Sequence, residues 1–204
     1  MSAAPLIHVV DDDESFRASL VDLLKAAGLE ARAYASTGEF LLDRTPDRPG
    51  CLLLDMRLPG PSGLDLQAAL LRQGNTIPII FLTGHADVAS GILAMKGGAV
   101  DFLEKPVARD ALIEAIGRAV ERDRAARAAR EALQRQQERL AVLTTREREV
   151  FERIVVGRLN KQIADELTIS LRTVKAYRAH LMEKLGVATA AELGRLAGER
   201  RDGD

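Results

Sequence analysis

The stretch CLLLDMRLPGPSG, residues 51–63, decides how the first half of this chain folds. Cys51, Leu52, Leu53 and Leu54 run without a polar break into Asp55, and Pro59-Gly60-Pro61 ends the run. A segment apolar at every position suits a strand buried on both faces, as in a parallel sheet. Ending such a strand on a carboxylate poses an electrostatic problem. A buried, unpaired carboxylate is costly, so another part of the chain must supply its partner.

Outward from this strand the signals alternate. LIHVV (6–10) is a short apolar run. After DDDE, the residues Phe16, Leu20, Leu23, Leu24 and Ala27 recur at helical spacing, and Gly28 stops the helix. LEARAYA (29–35) reads as an edge or second strand, with a short helix near Gly38–Asp43. Beyond Asp55, Gly63–Arg72 is helical, IIFLT (79–83) is a strand, Val88–Lys96 is helical and VDFLE (100–104) is the last strand. Alternating strands and helices of this kind predict an α/β unit, a doubly wound five-stranded parallel sheet covered on both faces.

From Arg109 to about Arg139 the pattern becomes one long helix. Leu112, Ala119, Ala126, Leu133 and Leu140 fall seven apart, but the other seam reads Ile116, Asp123, Arg130, Gln137, a poor coiled coil. A spacer docked only at its start and a dimer contact both fit. The remaining residues predict four short helices and no strands. Thr144 and Glu147 form a capping box and Gly157 ends the first helix; Asn160 caps the second, to about Glu166. Ser170 caps the third, to Leu185, and the fourth spans about Ala190–Ala197. The expected organisation is an α/β domain over 1–120, a linker helix over 121–142 and an all-α domain over 143–204.

Charge follows the same division. Residues 1–107 carry a net −5, whereas 108–142 and 143–204 each carry +2. An acidic front and a mildly basic back imply different partners. The single cysteine, Cys51, excludes an internal disulfide and reads as a small buried hydrophobe. No apolar run approaches the ~18 residues of a membrane helix, and the N-terminus lacks signal-peptide features. These features predict a cytoplasmic protein with no membrane partner.

Partners for Asp55 appear at the other strand ends, where ligands bind in a parallel sheet. The first strand ends at Asp11-Asp12, the fourth at Thr83, and Lys105-Pro106 follows the fifth. Each residue alone has an ordinary explanation as a cap, a turn residue or a solvated charge. Together they place three carboxylates, a hydroxyl and an ammonium around one cavity. Crowded carboxylates call for a hard cation, and Mg²⁺ suits oxygen ligands and bridges carboxylates to phosphate. An aspartate so placed can act as a nucleophile towards phosphorus, with Lys105 and Thr83 binding the arriving oxygens.

Asp11-Asp12, Asp55 in LLLDMRLPG, Thr83-Gly84 and Lys105-Pro106 resemble the receiver domain of two-component response regulators, and TGHADV and AVDFLEKP resemble its FixJ branch. The likeness runs from residue 6 to about 120. It implies that Asp55 takes phosphate from the phosphohistidine of a sensor histidine kinase. It implies Mg²⁺ held by Asp12, Asp55 and the backbone carbonyl of Arg57, with Asp11 acting through water. It also implies that Lys105 pairs with the phosphate, that the Lys105–Pro106 bond is cis, and that the Phe102 ring turns inward as Thr83 is drawn to the phosphate.

The basic end contains LNKQIADELTISLRTVKAYRAHLMEKL (159–185), read as helix, tight turn, helix. On its third helix Val174, Tyr177, Leu181 and Leu185 share one face, while Arg172, Lys175, Ala176 and Ala179 project from the other. Small residues beside cations suit close approach to a DNA groove, although a solvated surface helix shows the same pattern. LTTREREV, GRLNKQIA, TISLRTVKAYRAHLMEKL and the closing AAEL resemble the LuxR-type DNA-binding domain. That resemblance implies base contacts by Lys175, Ala176 and Ala179, and phosphate contacts by Asn160, Lys161, Thr173 and Arg178.

The whole chain is thus similar to a FixJ/NarL-type response regulator. The resemblance implies phosphorylation-promoted homodimerisation through residues 88–104 and binding to promoter DNA, with RNA polymerase as a possible further partner. Two other readings compete. One is a DNA-binding protein with a vestigial receiver. The other is an aspartate-nucleophile phosphatase, which needs a second carboxylate two residues beyond the nucleophile, where this chain has Arg57. The expected class is a regulator and not an enzyme.

Overall fold

The computed structural model describes residues 4–43, 48–84, 88–189 and 192–194. The chain divides into two compact units, Met1–Arg127 and Ala128–Asp204.

The first unit contains β1 (Leu6–Val10), α1 (Glu14–Ala26), β2 (Glu30–Tyr34), α2 (Thr37–Leu42), β3 (Gly50–Asp55), α3 (Gly63–Arg72), β4 (Ile79–Thr83), α4 (Val88–Lys96), β5 (Asp101–Glu104) and the start of α5 (Arg109–Ala141). The five strands form one sheet in the order β2-β1-β3-β4-β5, and every pairing is parallel. The order reverses between β1 and β3, the point at which a parallel sheet opens a crevice at its carboxyl end. Val10 pairs with Leu54 there, one residue short of both Asp11 and Asp55.

The unbroken apolar run of β3 is explained by two cores. Cys51 and Leu53 join Ile7, Val9, Ile80 and Leu82 on one face, against Leu20 and Leu24 of α1 and Leu112, Ile116 and Ala119 of α5. Leu52 and Leu54 join Val10 and Phe81 on the other, against Leu66 and Leu70 of α3 and Ala94 of α4. Each strand side chain therefore meets a helix whichever way it points. α1 starts where the Asp13 carboxylate accepts the Phe16 N–H, and Gly28, at φ +76°, carries the chain out of its far end.

Asp123 was a misfit in the heptad pattern, and its environment accounts for it. It is 2% exposed. Its Oδ2 accepts the Gly50 N–H at 3.0 Å and Arg127 Nε at 2.7 Å. A buried carboxylate with two donors, one cationic, is a satisfied one.

The second unit contains the end of α5, α6 (Thr145–Val155), α7 (Asn160–Leu167) and α8 (Leu171–Leu185), with residues 192–194 also helical. Leu143, Val150, Phe151, Ile154, Ile163, Val174, Leu181, Leu185 and Leu193 form its core. The Thr144–Glu147 capping box is present. Glu147 is buried and also accepts Lys184 Nζ at 2.7 Å. That bond, with the Thr144 N–H, pulls its carboxyl down to about 2.

One cap differs from the expected one. Leu159, not Asn160, holds the N-cap of α7, and it has no side chain able to accept a hydrogen bond. Gln162 Oε1 accepts the Leu159 N–H instead, and Asn160 lies inside the helix with its amide directed to another partner. Most of the expected fourth helix, residues 190–191 and 195–197, lies outside the described residues.

Candidate phosphoacceptor site and DNA interface

Asp55 and Asp11 stand at the ends of adjacent strands, both almost wholly buried, and Lys105 joins them. Its Nζ donates to Asp11 Oδ2 at 2.6 Å and to Asp55 Oδ2 at 2.7 Å. Lys105 is placed by the backbone: its N–H donates to the Thr83 carbonyl at 2.7 Å, which extends the β4–β5 ladder by one residue. The Lys105–Pro106 peptide is cis. Thr83 is 2% exposed at the end of β4.

The second oxygen of each aspartate is held by the main chain. The Asp13 N–H donates to Asp11 Oδ1 and the Arg57 N–H to Asp55 Oδ1, each at 3.0 Å. These bonds fix the carboxylates without adding charge. The turn after Asp55 is fixed by α3. A Cβ on Gly63 would stand 2.4 Å from the Asp55 carbonyl oxygen, so only glycine lets α3 begin this close. Ser62 caps α3 in a box with Asp65.

Burial acts to raise the Asp11 carboxyl above its usual range, and the bond from Lys105 only partly opposes this. Burial also acts to lower the Lys105 ammonium, but its bonds to Asp11 and Asp55 outweigh burial and hold it above the ordinary lysine range. One ammonium does not neutralise three acids. Carboxylate oxygens of Asp11, Asp12 and Asp55 lie within 4.8 Å of one another. Asp12 is exposed, which leaves that side open to water. An all-oxygen, anion-rich, partly hydrated donor set fits Mg²⁺.

Two neighbours of the site were not singled out from the sequence. Arg17 Nη1 donates to the Asp11 carbonyl at 2.6 Å. The Phe16 ring lies beneath Lys105 Nζ, 4.2 Å from its centroid. Both sit in the first turn of α1, directly after the acidic run. Helical spacing marked Phe16 only as a core residue, and that signal cannot show which charge a ring will face.

Phe102 is half-buried on β5, paired with Phe81 and packed against the second core. It borders α4 closely, since a Cβ on Gly91 would lie 3.6 Å from its ring. Beyond it α4 exposes Val88, Ile92, Leu93 and Met95.

In the second unit, Val174, Leu181 and Leu185 of α8 are buried and Tyr177 is half-buried. Arg172, Lys175, Ala176 and Ala179 are exposed on α8, as is Lys161 on α7. The Thr173 hydroxyl hydrogen-bonds Ser170 Oγ at 2.8 Å. Arg178 Nη1 donates to Asn160 Oδ1 at 3.0 Å, tying α8 to the first turn of α7.

Comparison with known proteins agrees with both halves. The receiver domain family of response regulators matches residues 7–117, and the luxR family of bacterial regulatory proteins matches 141–197. Nodulation protein W of Bradyrhizobium diazoefficiens is 44% identical over 96% of this chain and 86% of its own length. Transcriptional regulatory protein FixJ of Azorhizobium caulinodans is 43% identical over 94% of this chain and 90% of its own. The solved structure of the response regulator StyR is 42% identical, with a TM-score of 0.86 over 97% of this chain and 100% of that one. With a receiver family model over its first half, a luxR family model over its last third and relatives above 40% identity along nearly its whole length, the chain belongs to the two-component response regulators with a receiver and a LuxR-type DNA-binding domain.

Proposed function

We propose that Asp55 is the phosphoacceptor through which a sensor histidine kinase controls promoter binding by this protein. The observation that carries this is Lys105, which follows the edge strand β5 and is held between Asp11 and Asp55 at the ends of β1 and β3. The kinase partner would present phosphohistidine. An Asp55 carboxylate oxygen attacks phosphorus, the N–P bond breaks, and the imidazole leaves with the electron pair and takes up a proton. Lys105 meets the incoming phosphoryl oxygens with its ammonium and Thr83 with its hydroxyl.

Asp11, Asp12, Asp55 and the backbone carbonyl of Arg57 would hold Mg²⁺, which supplies charge neutralisation that lets an anionic phosphoryl group approach three acids. Arg57 is exposed and no carboxylate stands at its position, which favours this reading over a phosphatase. The domain plan follows from it: a receiver over 1–120, a linker helix over 121–142 and a DNA-binding domain over 143–204.

Phosphate biases the receiver only through contacts that differ between states. Thr83 and Lys105 make those contacts, and the Phe102 ring with α4 relays them. The exposed apolar side chains of α4 support dimerisation through 88–104 in the phosphorylated state. A dimer sets two recognition helices on half-sites roughly 34–36 Å apart, or a multiple of that. Arg172, Lys175, Ala176 and Ala179 face the groove, and Asn160, Lys161, Thr173 and Arg178 face phosphates. Promoter binding puts the protein in the cytoplasm, with RNA polymerase as a further partner.

The test compares light scattering and promoter binding with and without acetyl phosphate, in the parent and in Asp55→Asn. The parent should dimerise and bind DNA more tightly on phosphorylation, and Asp55→Asn should not respond. Equal behaviour in all samples removes Asp55 as the switch and favours a vestigial receiver.

A further inference from the structure

We infer that Phe16 is a positioning residue for phosphoryl transfer, holding the Lys105 ammonium by its ring face; this rests on the reading of Lys105 as the phosphoryl-binding cation. An ammonium has three N–H donors and no acceptor. Asp11 and Asp55 take one each. The remaining side meets the face of the Phe16 ring, with Nζ 4.2 Å from the centroid.

The ring face carries the negative end of the aromatic quadrupole and attracts a cation within about 6 Å. The Lys105 side chain is only 17% exposed, so the interaction is weakly screened. Phe16 is itself fixed at both ends. Its N–H donates to the Asp13 cap at 3.0 Å, and its side chain packs against the first core. Asp13 also donates its N–H to Asp11. The loop that shapes the acidic pocket thus also places the ring.

The consequence is directional. A flexible lysine stem normally lets the ammonium swing into water. With a ring beneath it, the ammonium stays against the two carboxylates, where a phosphoryl group arrives. An aliphatic side chain of similar bulk fills the space but offers no attraction to a cation.

The experiment uses the full chain with acetyl phosphate and saturating Mg²⁺. Phe16→Leu keeps an apolar side chain and removes the ring; Phe16→Tyr keeps the ring. Phe16→Leu should phosphorylate roughly two- to fivefold more slowly, the ratio expected for a modest cation–π contact. Phe16→Tyr should keep the parental rate. Proton NMR of the Lys105 methylenes should show a ring-current shift in the parent and Phe16→Tyr that Phe16→Leu lacks, and thermal midpoints establish that each variant is folded. If Phe16→Leu unfolds, Phe16→Met replaces it. A parental rate in the Leu variant, or equal slowing in the Leu and Tyr variants, overturns the proposal. Lys105→Ala separates the two levels. If it is slow while Phe16→Leu is parental, only the role of Phe16 fails. If it is itself parental, the reading of Lys105 fails, and Phe16 with it.

Discussion

Lys105 and Asp55, fifty positions apart in sequence, are joined by a 2.7 Å hydrogen bond at the carboxyl end of the sheet. The bond compensates part of the charge that the sequence places there, and leaves the pocket with more acid than base. Occupation by a divalent cation should therefore stabilise the fold. Mg²⁺ at a hundred times its dissociation constant should add about 2.7 kcal/mol by mass action. Thermal melts with and without Mg²⁺ check this. The parent midpoint should rise, while Asp55→Asn should respond much less.

In Mg²⁺-free buffer, Asp11→Asn should raise stability, because the amide carries no charge for burial to penalise. Asp11 is held above its usual range. A raised carboxyl favours the fold fully below its unfolded value and loses that advantage as pH rises through the folded value. At neutral pH the ionised form is therefore a burden that the amide lacks. Urea midpoints at pH 7 measure it. A less stable Asn variant would mean that the bond to Lys105 outweighs the charge.

A second titration belongs to His8. Burial lowers its pKa from 6.5 to about 4. Its Nδ1 lies 3.0 Å from the Tyr34 hydroxyl, which donates to Asp43 at 2.7 Å. Since that hydroxyl proton is spent on Asp43, neutral His8 is the donor. Between pH 6.5 and about 4 the unfolded chain binds the extra proton, so stability should drop as pH falls through this window, by up to about 3 kcal/mol. Glu147 is shifted the same way, and its contribution should be kept above about pH 4.5 and lost as pH falls towards 2. Urea titrations of the first unit's circular dichroism at pH 7, 5.5 and 4.5, with His8→Leu as control, should show a slope that the variant lacks.

At the DNA-binding end, Lys161→Ala should flatten the salt dependence of promoter binding by about one unit of slope. Lys175→Ala should weaken specific binding by about 1–3 kcal/mol. Arg178 and Asn160 share a hydrogen bond, so their effects should not add: the double variant should bind about as weakly as Arg178→Ala alone. Fluorescence anisotropy over a salt series distinguishes these outcomes. Additive losses for the last pair would mean two independent phosphate contacts.

Gly63→Ala should destabilise the first unit by about 1–3 kcal/mol, because the new methyl would stand 2.4 Å from the main-chain oxygen of Asp55 and also crowd the Phe81 and Leu54 side chains. It should also slow phosphorylation by shifting the turn. Gly60→Ala provides a contrast. Its φ of +95° makes it strained, but nothing lies within 4 Å of its Cβ position. Chemical denaturation of both variants, with phosphorylation rates beside it, separates crowding from backbone strain.

Strand identity was legible because β1, β3 and β4 are apolar almost throughout, His8 and the terminal Asp55 and Thr83 apart, which two-sided burial demands. The bounds of α3, β4 and α4 follow from Ser62-Gly63, Pro78 and the helical run 88–96. The shared cavity was legible because polar residues end or follow the apolar runs of β1, β3, β4 and β5. What escaped reading depends on direction, not composition. Asp123 looked like a defect in a heptad because its donor, the Gly50 N–H, is supplied by backbone 73 positions away. Asn160 looked like a cap because its residue type favours one, but Arg178 offered its amide a charged donor. Phe16 looked like core because spacing records which side of a helix a residue takes and not what lies opposite.

Cys51 lies in β3 with no exposed surface, and burial pushes its thiol up to about 12. At neutral pH it is neither ionised nor reachable, so maleimide reagents should leave the folded protein untouched. A cysteine introduced on the outer surface of α4 or α8 would then be the sole chemical handle in the chain, ready to carry a fluorophore or spin label without first removing the native sulfur.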